Sequence, residues 1–220
     1  MTGCLITFEG GEGAGKTTQI QRLAAYLRDL GEAVTVTREP GGSPGAEVIR
    51  SVLLAPDHAD FDAVTQALLF AAARRDHLRA TIRPALAAGR IVLCDRFYDS
   101  TRAYQGANGT VPKSVVKRLE SLAVGRLRPA LTVILDLPPE IGMARAATRH
   151  GRPLASSDAF ERQSLAFHQG VRAAFLAIAA GEPERCAVID AARDADTVFA
   201  DLRALIHARL PQIGTVRGES

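Results

Sequence analysis

The sequence predicts an α/β fold, a parallel five-stranded sheet with helices on both faces and a small lid, within 220 residues. Three observations predict it. Short apolar runs suited to buried strands alternate with longer segments whose apolar residues recur at helical spacing, the pattern of right-handed βαβ crossovers. The first run, Cys4 to Phe8, passes through a glycine-rich turn directly into a helical segment. No internal repeat or interdomain linker interrupts the alternation, so one domain over 1–210 is expected, with a lid near 145–157 and a flexible tail at 211–220.

The elements follow in order. Ile20, Leu23, Ala24, Leu27 and Leu30 carry the first helix, and Gly31 stops it. Ala33 to Thr37 reads as a second strand, with Arg38-Glu39-Pro40-Gly41-Gly42 as the turn after it. A short helix from about Pro44 to Leu54 is followed by a long one from about Phe61 to Ala88, halted by Gly89. Ile91 to Cys94 is an apolar third strand ending in Asp95-Arg96. One helix from Tyr98 and another from Pro112 to about Gly125 lead to the fourth strand, Leu131 to Leu137. Glu140 to Arg149 and Ser157 to Ala180 read as helices, Ala187 to Asp190 as the fifth strand, and Ala195 to Leu210 as a closing helix. Beyond Pro211 the chain is expected to fray.

Composition narrows the function classes. Hydrophobic residues at 47% and charged residues at 23% are ordinary globular values. The net charge of +3 is mild and almost all its cations are arginine, Lys16, Lys113 and Lys117 being the only lysines. No basic run or aromatic-interleaved patch points to nucleic acid, so phosphate-rich small molecules are the expected acidic partners. Cys4, Cys94 and Cys186 lie far apart without metal-ligand spacing and read as buried thiols of a reduced, cytoplasmic protein. No leader pattern precedes the first strand, and no apolar run reaches membrane-spanning length. The five histidines show no metal pattern and are expected on surfaces and helix faces.

The glycine-rich turn reads FEGGEGAGKTT from Phe8 to Thr18. Gly10, Gly15, Lys16 and Thr17 fit the phosphate-binding loop, and strand–loop–helix is the context that pattern requires. Glycines let successive N–H groups curl round phosphate oxygens, the helix adds its positive end, Lys16 reaches the outer phosphates, and Thr17 offers its hydroxyl to Mg²⁺. The expected nucleotide contacts are Gly10, Gly11, Glu12, Gly13, Ala14, Gly15, Lys16, Thr17 and Thr18, and the architecture is of P-loop NTPase type. Asp95 is expected beside Thr17 at the metal.

In a parallel sheet the crevice lies beyond the carboxyl ends of the strands, which gathers the phosphate loop, Arg38 to Gly42 and Asp95-Arg96. Arg38, Arg74 and Arg96 stand in or beside it and suit a second phosphate-bearing ligand, since a guanidinium binds two oxygens at once. Phe70 and Arg74 share a helix face, with Gln66 and His77 nearby, so Phe70 can be core or a platform for a base with Arg74 beside it. Ser100 and Tyr104 are again four apart, and Gln105 can supply the donor and acceptor an imide edge needs.

Arg38-Glu39-Pro40-Gly41-Gly42, Leu68-Leu69-Phe70-Ala71-Ala72, the run Asp95 to Gly106 (DRFYDSTRAYQG) and Leu135 to Glu140 resemble the motifs of thymidylate kinases over nearly the whole chain. The resemblance implies transfer of the γ-phosphoryl group of ATP to thymidine monophosphate by a homodimer. It implies that Phe70 stacks on thymine, Arg74 and Gln105 contact its polar edge, and Ser100 and Thr101 line the base pocket. Arg38 and Arg96, with Pro40 beside them, would hold the acceptor phosphate; Tyr104 would crowd the sugar 2′ position, and Glu12 would approach the 3′-hydroxyl. In this family some members carry an arginine inside the phosphate loop and others supply basic lid residues. Gly13 stands at the loop position here, so Arg149 first and Arg152 second are expected to act from the lid, with Arg145 nearby. Lys16, Glu12, Arg96, Arg149 and Arg152 form the expected catalytic set. Two departures stand out: Ala73 precedes Arg74 where an acidic residue is common, weakening a supporting ion pair, and Asp158-Ala159-Phe160-Glu161 lacks a familiar arginine. Other nucleoside monophosphate kinases share the loop and arginines, so the base pocket decides between them. A guanine-reading Asn-Lys-x-Asp motif is absent, against a GTP switch, and no second domain or basic tract favours a DNA-processing ATPase.

Overall fold

The computed structural model describes residues 3–55, 61–107, 110–150 and 163–214, with side chains up to residue 145 in the third stretch. Strands β1 (Cys4–Glu9), β2 (Val34–Arg38), β3 (Ile91–Asp95), β4 (Leu131–Asp136) and β5 (Cys186–Asp190) form one parallel sheet in the order β2-β3-β1-β4-β5. Alternation along β1 sends Leu5 to one face and Ile6 and Phe8 to the other, which is why both faces need helical cover.

Helices α1 (Lys16–Asp29) and α9 (Ala195–Arg209) cover the Ile6 and Phe8 face, with Ile20, Leu23, Val198 and Leu202 closing the larger core. The Leu5 face is covered by α3 (Ala63–His77), α4 (Arg83–Ala87), the segment of residues 78–82 between them and α6 (Lys113–Val124), through Leu78, Ile82, Ala85, Ala123 and Val124. Helices α2 (Pro44–Leu54), α5 (Tyr98–Thr101), α7 (Pro139–His150) and α8 (Leu165–Gly181) complete the described elements. From β1 the chain crosses outward to β2, whereas from β3 it crosses the opposite way to β4. Right-handed crossovers then place α1 on one face and the helices after β3 on the other, and the cleft opens between the carboxyl ends of β1 and β3.

Four expectations change. The long helix starts at Ala63, where the Asp62 side chain caps it by accepting from the Thr65 N–H at 2.7 Å. It is also not uniform, because residues Leu78–Ile82 widen into a π turn just before Pro84, which has no N–H to give the α ladder. Similarly, the helix from Tyr98 keeps α geometry only to Thr101 and continues as a π segment, Arg102–Ala107. The helix expected from Ser157 begins at Leu165, capped by Ser164 accepting from the Phe167 N–H at 3.2 Å; residues 157–162 lie outside the described residues. After Pro211 the chain packs through residue 214, where Ile213 joins the core and the Gly214 N–H donates to Glu32 at 3.0 Å; residues 215–220 of the expected tail lie outside the described residues.

Candidate active site

Backbone geometry explains the glycines of the loop. Gly10 has φ 136°, and a Cβ there would lie 2.4 Å from the Leu135 carbonyl oxygen. At Gly13, φ is 66° and a Cβ would lie 2.2 Å from the carbonyl oxygen of Gly142 in α7, so no side chain fits at this position. Gly15, φ 83°, turns the chain into α1. Buried Lys16 folds back over the loop and donates from Nζ to the carbonyl oxygens of Gly10 at 3.1 Å and Gly11 at 2.9 Å. Burial lowers its pKa, with the Arg96 charge adding to the effect against nearby carboxylates.

The end of β3 faces this loop, since the Arg96 N–H donates to the Phe8 carbonyl at 2.9 Å. Arg96 is the one described non-glycine residue with positive φ, 66°, a conformation that tertiary contacts must hold. Its guanidinium donates to Glu12 at 2.5 Å, to the Gly10 carbonyl at 3.1 Å and to Ser100 Oγ at 3.2 Å, and lies 5.2 Å from the Tyr104 ring centre. The Tyr104 hydroxyl donates to the same Glu12 oxygen at 3.2 Å. Burial works to raise the Glu12 carboxyl, but Arg96, then Lys16 and Tyr104, outweigh it and hold the group at about 2. Next to them Thr17 Oγ1 donates to Asp95 Oδ2 at 2.8 Å. A cleft of about 220 Å³ is lined by residues 12–18 together with Arg38, Glu39, Arg50, Asp95 and Arg96.

The turn after β2 supplies the second wall. Arg38 is half-exposed and shares Glu47, whose two carboxylate oxygens each lie 3.1 Å from Nη2. Arg50, unnoticed in the sequence, donates to the Pro40 carbonyl at 2.7 Å. Below this turn, buried Glu39 accepts from Arg74 Nε at 2.6 Å and meets His77 Nδ1 at 3.1 Å, while His77 Nε2 lies 2.7 Å from Thr37 Oγ1. Arg74 is therefore 3% exposed and bound further to Thr101 Oγ1 at 3.2 Å and the Phe97 carbonyl at 3.0 Å. The ion pair that Ala73 could not supply comes from Glu39 instead. His77 and His168 both lie on helices, as one of the two expected placings has it, but on buried faces of α3 and α8.

Phe70, Arg74, Thr101 and Gln105 are not walls of that cleft; they gather between α3 and the Tyr98–Ala107 segment. Gln105, 3% exposed, donates to Gln66 Oε1 at 3.3 Å, and half-buried Phe70 stands one turn along α3 from both Gln66 and Arg74. Ser100, expected against a base, is engaged internally with Glu9 and Arg96. Glu9 and Glu39 were the carboxylates missed from the sequence, and each carried a signal: an acid ending an apolar strand, and an acid between Arg38 and Pro40. Of the lid set, Arg145 donates to the Ala191 carbonyl at 3.0 Å, whereas the Arg149 side chain and all of Arg152 lie outside the described residues.

Comparison with known proteins gives one consistent answer. A sequence model of the family described as Thymidylate kinase matches residues 8–202. The chain is 53% identical over 208 residues to the thymidylate kinase of Caulobacter vibrioides, covering 94% of this chain and 98% of that one. It is 54% identical over 211 residues to the thymidylate kinase of Rhodopseudomonas palustris strain TIE-1, covering 96% and 91%. Among solved structures, the thymidylate kinase of Ehrlichia chaffeensis superposes with a TM-score of 0.74 at 32% identity, covering 94% of this chain and 99% of that one.

Proposed function

The chain belongs to the thymidylate kinase family, and from that premise we propose how its cleft holds two nucleotides. The reaction is transfer of the γ-phosphoryl group of ATP to thymidine 5′-monophosphate, giving dTDP and ADP in dTTP synthesis. The observation that carries the site assignment is that one and the same cleft wall joins loop residues 12–18 to Arg38, Arg50 and Arg96.

On the donor side, loop N–H groups and Lys16 take the ATP phosphates, Lys16 exchanging its two carbonyl partners for phosphate oxygens. The Thr17 hydroxyl and the Asp95 carboxylate are hard oxygen donors 2.8 Å apart, a set that suits Mg²⁺ completed by water and phosphate oxygens. When bound, that ion would neutralise charge on the donor phosphates.

On the acceptor side, Arg96 and Arg38, with Pro40 and Arg50 shaping the turn, grip the monophosphate. Glu12, kept ionised by Arg96, accepts from the sugar 3′-hydroxyl, and Tyr104 crowds the 2′ position. Phe70 stacks on thymine; each terminal nitrogen of Arg74 keeps one further N–H for the base edge beside Gln105, above Ser100 and Thr101. The acceptor phosphate has a second pKa of about 6 and is largely dianionic at neutral pH, so no general base is required. What remains is to bring two polyanions in line and offset their repulsion, by position and fixed charge. A lid over 145–157 would close on the nucleotides with Arg149 or Arg152. The same reading makes the protein a cytoplasmic homodimer, as the family resemblance implies; no helix among the described residues is long and apolar enough to cross a membrane.

An acceptor panel tests the base assignment. With MgATP, thymidine monophosphate should be phosphorylated far faster than the adenosine, guanosine or cytidine monophosphates. A preference for any of those three would sink it.

A further inference from the structure

We infer that Glu9 is a positioning residue whose buried carboxylate, acting through Ser100, fixes the Arg96 guanidinium in the cleft. Glu9 ends β1 at 0% exposure and is not itself among the residues that line the cleft. Its Oε1 accepts from the Phe97 N–H at 2.8 Å and the Ser100 N–H at 3.3 Å, and its Oε2 accepts from the Ser100 hydroxyl at 2.6 Å. Because Ser100 gives its only proton to Glu9, its oxygen is free to accept from Arg96 Nη1 at 3.2 Å. The backbone N–H of Phe97 and the side chain of Ser100 thus anchor the turn that follows Arg96, and Arg96 is the residue held at φ 66°. One chain of hydrogen bonds runs from Glu9 through Ser100 and Arg96 to Glu12.

A carboxylate in this place is expensive. Burial raises the Glu9 pKa and Asp99 adds to the rise, while the Ser100 hydroxyl, the Arg96 charge and the Phe97 N–H oppose it by favouring the ionised form. An apolar or amide side chain would remove that penalty but could not both take the Ser100 proton and attract the arginine. A role in holding the left-handed Arg96 turn accounts for the acid.

The inference rests on the reading that Arg96 binds the acceptor phosphate, and a double-mutant cycle separates the two. Steady-state kinetics with saturating MgATP and varied thymidine monophosphate are measured for the wild type, Glu9→Gln, Arg96→Ala and the double variant. Glu9→Gln should lower kcat/KM for the acceptor about tenfold, the size of one hydrogen bond weakened at a charged partner, and leave the KM for ATP unchanged. In the Arg96→Ala background the same change should have less than about a twofold effect, since its target is gone. Equal losses in both backgrounds, or none in Glu9→Gln alone, would overturn the positioning role while leaving Arg96 in place. No loss in Arg96→Ala would remove Arg96 from the acceptor site and the inference with it. If Glu9→Gln does not fold, Ser100→Ala replaces it in the cycle and must show the same dependence on Arg96.

Discussion

Glu12 sits within the loop proposed to accept a polyphosphate, and it stays charged because Arg96 donates to it at 2.5 Å and Tyr104 at 3.2 Å. Its pKa falls from an ordinary 4.5 to about 2, so the folded state holds the ionised form more strongly than the unfolded chain does. The stability this contributes is present above 4.5 and is lost as pH falls through about 2. Glu12→Gln should therefore be less stable than wild type at pH 7, and the gap should narrow in urea titrations taken stepwise from pH 5 towards pH 3. A gap that stays constant across that range would mean the charge contributes nothing. Phe70 offers a different test, since it is half-buried and stands clear of the phosphate cleft. Phe70→Ala should raise the acceptor KM roughly tenfold or more, as expected for one lost base–aromatic stack, and leave the ATP KM in place. The loop residues were legible because spacing alone dictates them. Glu39 was not, since its partners Arg74 and His77 are distant in sequence and only the fold brings them to one carboxylate.

At the scale of elements, α7 is tied to the phosphate loop by a glycine pair. Gly13 cannot carry a side chain because the Gly142 carbonyl is there, and a Cβ on Gly142 would lie 2.3 Å from the Glu12 carbonyl oxygen. The absence of a loop arginine is therefore a consequence of how closely the helix leading towards residues 151–157 approaches the loop. Gly142→Ala separates propensity from packing. Helix propensity alone would stabilise an alanine by about 1 kcal/mol, whereas overpacking against backbone costs roughly 1–3 kcal/mol. We expect packing to win, lowering Tm by about 2–8 °C and kcat with it, because the displaced oxygen belongs to Glu12. A rise in Tm would show that α7 yields. Helix α2 could be bounded from the sequence because Ser43 and Pro44 mark its start. The π turns at Leu78–Ile82 and Arg102–Ala107 could not, because a periodicity reading assumes a single helical repeat.

For the whole molecule, the alternation of strands and helices declared a parallel sheet, but strand order is a property of crossovers that no local pattern encodes. That order is what puts Phe8 beside Asp95 and so makes one site of two distant motifs. The outer surface carries a further consequence. Among the described residues, Val48, Val64, Leu68 and Leu122 are half of the exposed large apolar side chains, and they lie on α3 and on α2 and α6, each of which packs against α3. Leu122 is 75% and Leu68 51% exposed. Fully burying a leucine stabilises by about 1.5–3 kcal/mol, so covering these side chains in the proposed homodimer would supply a substantial part of an association energy. The double variant Leu68→Glu, Leu122→Glu would place carboxylates in that contact, where desolvation opposes them. Sedimentation at micromolar concentration should find wild type as a dimer and the double variant as a folded monomer. A variant that remained dimeric would move the interface off α3 and α6. Because Leu68 shares α3 with Phe70 and Arg74, the monomer should also bind the acceptor more weakly, while its ATP KM, set at the β1–α1 loop, stays where it was.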